Sequence, residues 1–270
     1  MELRHLLVHV DAHPRSADRV ALAATLARRF GARVTGLFAE SSSLGPGIVG
    51  ARDPERLVAD EASARAVFEE RTGGLATDWW SIAGGDWAHV VGWTSTCCRY
   101  ADLVLLGQNP DEGTRLPSDA IEQVLEDAGR PVLVVPSAGR HADVGRRVLV
   151  AWTGSRESAR ALADAMPFLT TAEHVTVLAI QLPSTGEAGA FPPVDVIAHL
   201  AAHGVKAGYE RIVADEEVRV IHHVLNRAAD EFADLTVMGA HFERAFPYLP
   251  RSGTAHDLLR TMTNPVLLSR

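Results

Sequence analysis

Lysine is nearly absent from this chain of 270 residues, and positive charge is in deficit overall. Lys206 is the only lysine, and 26 lysine and arginine residues face 34 aspartate and glutamate residues, for a formal net charge of −8. A P-loop ends in Gly-Lys-Ser/Thr, so this chain cannot be a P-loop NTPase. The arginines are scattered rather than gathered in a stripe, so nucleic acid is not expected as a partner.

Cysteine is equally scarce, because Cys97 and Cys98 are the only two and stand side by side. Adjacent cysteines suit neither a disulfide framework nor a zinc site with separated pairs, so they are predicted to be packing residues in a reducing compartment. His199 and His203 have the spacing of metal ligands on a helix, but no Glu follows His199 and a helix C-terminus accounts for His203. No metal site is predicted.

Long hydrophobic runs are also missing near the start of the chain. The first apolar run, residues 6–10, is interrupted by His9 and followed by Asp11. It is much shorter than the ~20 residues of a membrane span or the core of a signal peptide. We therefore expect a cytoplasmic protein without a membrane partner.

What the chain does contain is an internal repeat. The segment Tyr100–Gly107 returns as Phe232–Gly239, with an aromatic residue, Ala, Asp, Leu and the closing Gly in register. A period above a hundred residues is too long for solenoid repeats and indicates a duplicated domain. We predict two domains, residues 1–140 and 145–270, with a polar linker over 138–144.

Each half alternates short apolar runs with amphipathic segments. In the first half, Ser16 is predicted to cap the first helix, Gly31 to end it, and Asp53-Pro54 to begin the second. The pattern gives β-α-β-α-β-α-β-α-β twice, hence two tandem doubly wound, flavodoxin-like α/β domains with five-stranded parallel sheets. The strand order 3-2-1-4-5 is a choice of topology that periodicity alone does not fix.

Ligands of open α/β sheets bind beyond the carboxyl ends of the strands where the winding reverses, here strands one and four of each half. In the second half, Thr153-Gly154-Ser155 follows strand one and Gly239 ends strand four. Ser252-Gly253-Thr254 then opens a helix. Small residues and hydroxyls at a helix N-terminus leave backbone N–H groups for a phosphate.

The chain resembles the tandem universal stress proteins of the UspA family, whose fold is of the adenine nucleotide alpha hydrolase type. The resemblance rests on the opening Val148–Ser155, the repeated Ala-Asp-Leu strands and the ending Met262–Leu267. It implies an Asp after strand one and a strand-four loop that reads Gly, two residues, Gly, nine residues, then Gly and Ser or Thr.

Both halves depart from that pattern. Asp11 and Gly107 match it in the first half, but Pro110 replaces the second glycine, so this site is interpreted as degenerate. In the second half Thr153 replaces the Asp and Phe242 replaces the second glycine. A Phe side chain hinders phosphate approach, where only Gly allows the closest contact.

The resemblance implies a stress-response binding and regulatory module, with ATP or AMP and Mg²⁺ as candidate ligands of the second half. No Gly-x-Ser-x-Gly elbow and no isolated pair of acids is present, so no catalytic residue is predicted. A nucleotide-hydrolysing enzyme and a nucleotide-independent interaction scaffold are the alternatives. The family also implies an internal pseudo-dimer through the final strands Val132–Val135 and Val266–Leu268, a candidate homodimer and a protein partner of unknown identity.

Overall fold

In the computed structural model, residues 2–43, 53–108, 120–181, 195–213, 220–241 and 254–270 are described. The chain divides into two compact units, residues 2–143 and 144–270. Within the described residues, no helix is long and apolar enough to cross a membrane.

The described residues of the first unit form five strands and four helices in strict alternation. They are β1 (His5–Val10), α1 (Ser16–Phe30), β2 (Arg33–Glu40), α2 (Pro54–Arg71), β3 (Thr77–Ala83), α3 (Trp87–Cys98), β4 (Leu103–Gly107), α4 (Ala120–Ala128) and β5 (Val132–Val135).

The second unit repeats this plan. Its elements are β6 (Arg147–Trp152), α5 (Arg156–Leu169), β7 (His174–Gln181), α6 (Val196–Ala202), β8 (Gly208–Val213), α7 (Val220–Asp230), β9 (Leu235–Gly239), α8 (Thr254–Thr261) and β10 (Val266–Ser269).

Each unit is a parallel sheet with the same strand order. In the first unit the order is β3-β2-β1-β4-β5, and in the second β8-β7-β6-β9-β10. The predicted doubly wound fold and the order 3-2-1-4-5 are therefore confirmed. Right-handed crossovers then put α1 and α2 on one face and α3 and α4 on the other, in agreement with the α1–α2 and α3–α4 contacts. The winding reverses between the first and fourth strands of each unit.

Two of the predicted helix boundaries are confirmed, and one is wrong. The Asp53 side chain accepts a hydrogen bond from Glu55 N, and Gly31 ends α1 with φ +65°. Ser16, however, does not cap α1, because Arg15 stands in the N-cap position without a side-chain hydrogen bond. The Ser16 hydroxyl instead accepts from Asp11 N at 3.0 Å, which ties the loop after β1 to the helix.

The repeated aspartate anchors the first strand of each unit. Asp102 Oδ2 accepts from Arg4 N at 2.8 Å and from His5 N at 2.9 Å. Asp234 accepts from Gly145 N at 2.8 Å and from Arg146 N at 3.1 Å. Hydrogen bonds to a carboxylate are stronger than neutral ones, and here they join the fourth strand of each sheet to the start of the first. The aspartate in the repeated segment therefore has a structural role in each unit.

Trp79 packs between the sheet and α2. Its ring centroid lies 5.5 Å from that of Phe68, and a Cβ atom on Gly36 would come within 2.7 Å of the Trp79 ring. These contacts make Trp79 a packing residue of the first unit. Cys97 and Cys98 are free thiols, and burial raises the pKa of both.

Phe232 has a backbone conformation that suits glycine. It follows α7 with φ +52° and is 82% exposed, while Ala233 N donates to Ala228 O at 2.8 Å and closes the helix end. Non-glycine residues in this left-handed region are strained, and this one gains little burial in return.

We expect Phe232→Gly to raise the free energy of unfolding by about 0.5–1 kcal/mol through relief of this strain. Tyr100 occupies the same place in the repeat, is also exposed, and has no positive φ. Tyr100→Gly is thus the matched control and should not stabilise. Urea unfolding measures the free energy of unfolding of both variants. An equal change in the two variants would contradict the assignment of strain to Phe232.

Candidate functional sites at the carboxyl ends of the strands

At the carboxyl edge of the first unit, Asp11 is bound to the Arg19 side chain. Arg19 Nη2 lies 3.3 Å from Asp11 Oδ2, and the Asp11 side chain is 13% exposed. Arg19 also donates from Nε to His9 O at 2.7 Å and from Nη2 to Ser16 Oγ at 3.2 Å. The carboxylate that matches the Asp of the family pattern is thus already paired within its own unit.

The same guanidinium lies over Gly107. A Cβ atom built on Gly107 would overlap Arg19 Nη1. Val10 and Gly107 end the two strands between which the sheet reverses, so Arg19 fills the place where a ligand would enter this unit. Arg19 itself is only 5% exposed. That this half is a degenerate site stays a prediction, and Arg19 is a side chain that the loop residues alone did not point to.

His9 is buried beside this pair. Its Nε2 lies 3.3 Å from Ala39 O and its Nδ1 lies 3.6 Å from Asp11 Oδ2. Burial lowers the pKa of His9 to about 4, because desolvation outweighs the attraction of Asp11. His9 is therefore neutral at pH 7. Burial alone would raise the pKa of Asp11, but Arg19, His9 and the His13 amide together lower it.

The neutral state of His9 makes the first unit sensitive to acid. Its pKa falls from 6.5 in the unfolded chain to about 4 in the folded one. Below pH 6.5 the unfolded chain therefore binds a proton that the folded chain excludes, and stability falls until about pH 4.

Between pH 7 and pH 5 we expect a loss on the order of 2 kcal/mol from this group, which His9→Gln should largely remove. The exposed His222 offers a control, since His222→Gln should keep the wild-type slope. His5, whose pKa partial burial also lowers, leaves a smaller slope in every variant. Urea unfolding at several pH values measures how the free energy of unfolding of each variant changes with pH. A His9→Gln slope as steep as that of wild type would show that other groups control acid sensitivity.

In the second unit, none of the described residues covers the turn at the equivalent place. After β6, Thr153 and Gly154 are exposed, and Thr153 Oγ1 donates to Ser155 Oγ at 3.1 Å. Ser155 caps α5 by accepting from Ser158 N at 3.1 Å. Gly154 has φ +72°, and an added Cβ would meet no atom within 4 Å. The predicted turn residues thus lie together at the edge, and no described residue packs against Gly154.

Gly239 ends β9 directly against the first turn of α5. A Cβ atom there would lie 2.5 Å from the backbone of Glu157 and Ser158. Close packing of helix on strand therefore requires glycine at this position, whether or not a ligand binds. Thr254 begins α8, at the carboxyl edge because α8 leads into the parallel strand β10.

Three residues named for this site lie outside the described residues, namely Ser252, Gly253 and Phe242, as does Pro110 of the first half. Their part in ligand binding stays a prediction. Among the described residues, no group of three or more His, Cys, Asp or Glu side chains could hold a metal ion.

Arg19 is the residue that sequence reasoning missed. A signal was present, because Arg19 interrupts the apolar stripe of α1 that includes Val20, Ala23 and Leu26. A charged residue on the buried face of a helix needs a buried partner. Its polar partners His9, Asp11 and Ser16 lie within ten residues of it, but Gly107 ends a strand far along the chain, so spacing alone could not place the guanidinium over Gly107.

No protein-family model and no curated protein matches the chain. Solved structures do match it. A universal stress protein from Archaeoglobus fulgidus DSM 4304 gives a TM-score of 0.70 at 16% identity, covering 100% of this chain and 99% of that one. A functionally unknown protein from Pseudomonas aeruginosa PAO1 gives 0.59 at 17% identity, covering 99% and 92%.

A candidate universal stress protein from Pseudomonas aeruginosa UCBPP-PA14 gives a TM-score of 0.60 at 17% identity, covering 99% of this chain and 93% of that one. The chain thus has the α/β fold of universal stress proteins over its full length. The predicted resemblance is confirmed at the level of the fold.

Proposed function

We propose that this chain is a tandem universal stress protein that acts as a stress-response binding module, with one adenine nucleotide site, in the second unit. The open turn at Gly154 carries the proposal. It lies at the point where the sheet reverses, with two hydroxyl groups beside it, whereas Arg19 fills the equivalent place in the first unit. The fold shared with a universal stress protein supports the class.

In this proposal the phosphates lie against the loop Thr153–Ser155 and the start of α8, with Gly239, Ser252, Gly253 and Thr254 around them. In the second unit Thr153 stands where the first unit has Asp11, and the Glu157 carboxylate, which lies beside Ser155, is paired with Arg156. A neutral loop repels phosphate less than a carboxylate does, so Mg²⁺ is not needed to offset a negative charge at that residue. AMP and ATP are both candidate ligands.

Substitutions at Gly154 test the site with matched variants. Gly154→Asp adds a negative charge in open space, while Gly154→Asn has nearly the same size and no charge. Both residues tolerate a left-handed backbone better than others do. We expect titration calorimetry with ATP and Mg²⁺ to show that Gly154→Asp lowers the affinity for ATP about tenfold or more and that Gly154→Asn lowers it clearly less. The reason is that a like charge costs roughly 1–4 kcal/mol at contact distance.

Two further measurements separate the alternatives. Gly253→Asp should abolish binding, whereas Gly92→Asp, at an exposed glycine of α3 with open space, should not change it. Chromatography of what heat releases from the purified protein should give ATP or AMP. Released ADP would favour a hydrolysing enzyme. A protein that releases and binds no nucleotide would be the scaffold alternative.

A further inference from the structure

The first unit holds a binding arrangement that the proposed nucleotide site does not use. Three oxygens surround the Arg19 guanidinium: His9 O and Ser16 Oγ accept hydrogen bonds at 2.7 and 3.2 Å, and Asp11 Oδ2 forms an ion pair with it at 3.3 Å. They come from a strand, a helix and the loop that joins them. Gly107 closes the floor, because a Cβ there would overlap Nη1.

The chemistry of this group selects a planar cation. A carbonyl oxygen and a carboxylate can only accept hydrogen bonds, and a guanidinium offers several donors in one plane. Asp11 carries negative charge at neutral pH, since its pKa is lowered. A phosphate would meet acceptors and a negative charge, and so would be repelled.

The described residues of the second unit do not form this arrangement. Arg19 follows Asp11 by eight positions, and the residue eight positions after Thr153 is Ala161, which is buried. Its strand-four glycine, Gly239, packs on the α5 backbone instead of on a side chain. The arrangement is therefore a property of the first unit and not of the shared fold.

We propose that residues Asp11, His9, Ser16 and Gly107 form a guanidinium-binding socket, with Arg19 as its built-in occupant. The socket closes the first unit against anionic ligands. When its own arginine is removed, it binds a free alkylguanidinium in the same place.

Arg19→Ala tests this directly, because the side chain lost beyond Cβ is that of ethylguanidinium. At about 100 mM ethylguanidinium we expect the melting temperature of this variant to rise by about 3 °C or more and to saturate, as for a ligand that binds only the folded state. Wild type and Arg65→Ala, which breaks an exposed ion pair with Glu69, should show no rise. Sodium chloride at equal ionic strength should not stabilise Arg19→Ala.

A second variant and a second ligand separate the socket from an unspecific effect of salt or of an empty cavity. In Asp11→Asn/Arg19→Ala the cavity remains without the charge, so the rise should be lost. Inorganic phosphate, which stabilises folded proteins without binding to a site, should raise the melting temperature of Arg19→Ala no more than that of wild type. A larger rise with phosphate than in wild type, an equal rise with ethylguanidinium in Arg65→Ala, or no rise of Arg19→Ala with ethylguanidinium would overturn the socket.

If Arg19→Ala does not fold alone, it is refolded with and without ethylguanidinium and the folded fraction is measured by circular dichroism. Recovery only with ethylguanidinium supports the socket. Equal recovery with and without it, or recovery in neither, overturns it. None of these readouts involves nucleotide, so they stand or fall independently of the site in the second unit.

Discussion

Replacing Arg19 with alanine is expected to lower the free energy of unfolding of the first unit by about 3–5 kcal/mol, the usual cost of removing one partner from a buried ion pair. The loss arises mainly from what stays behind. Asp11 would keep its charge although its side chain is only 13% exposed, and the neighbouring His9 ring is neutral. His9 O would lose its 2.7 Å donor as well.

Urea unfolding measures this loss, and two variants calibrate it. Arg65→Ala removes an exposed i,i+4 pair with Glu69 and should cost no more than about 0.5 kcal/mol. Asp11→Asn should reduce the cost of a subsequent Arg19→Ala, because the two residues share one contact. If Arg19→Ala lost as little stability as Arg65→Ala, the Arg19 guanidinium would not be held by Asp11, His9 O and Ser16.

Gly239→Ala is expected to destabilise the second unit by about 3 kcal/mol, the upper end of the range for overpacking. The added Cβ would lie 2.5 Å from the backbone of Glu157 and Ser158, and backbone in the first turn of a helix cannot rotate away as a side chain can. Relief requires α5 to move away from β9. The expected cost is therefore higher than strain at a single residue would give.

Two glycines serve as controls for this variant. Gly154→Ala meets no atom within 4 Å but has φ +72°, so only backbone strain of about 1 kcal/mol is expected. Gly107→Ala strikes the Arg19 side chain, and its cost should shrink when Arg19 is already alanine. If the losses of unfolding free energy for Gly107→Ala and Arg19→Ala were additive, the two residues would not be in contact. If Gly239→Ala lost no more stability than Gly154→Ala, Gly239 would not pack on α5.

The alternation of strands and helices followed from the sequence because both leave local marks. Strands of a parallel sheet covered on both faces are continuous apolar runs, as at Val132–Val135, which the structure places where they were predicted. Asp53-Pro54 begins α2 and Gly31 ends α1 for reasons confined to a few neighbouring residues. Duplication was equally visible, since Tyr100–Gly107 and Phe232–Gly239 can be compared without any coordinates.

Reasoning at the level of single residues failed where a side chain had more than one local option. Ser16 has a good capping residue's chemistry at the right place, yet its hydroxyl bonds Asp11 N and Arg19. The hydroxyl accepts hydrogen bonds from the backbone of the turn and from a buried guanidinium at the same time. A capping rule based on residue type does not include these two donors, because the Arg19 side chain is oriented by packing.

The sequence by itself determined the two doubly wound α/β units and the glycine that ends the fourth strand of each, Gly107 and Gly239. Only the tertiary structure decided what those glycines face. One meets the guanidinium of Arg19 and the other the backbone of α5, so two identical positions of the repeat have different surroundings. The physical reason is that hydrophobic periodicity and capping act over a few residues. The space at the carboxyl edge of a sheet lies between strands that are distant in the chain, so tertiary packing determines which side chain occupies it.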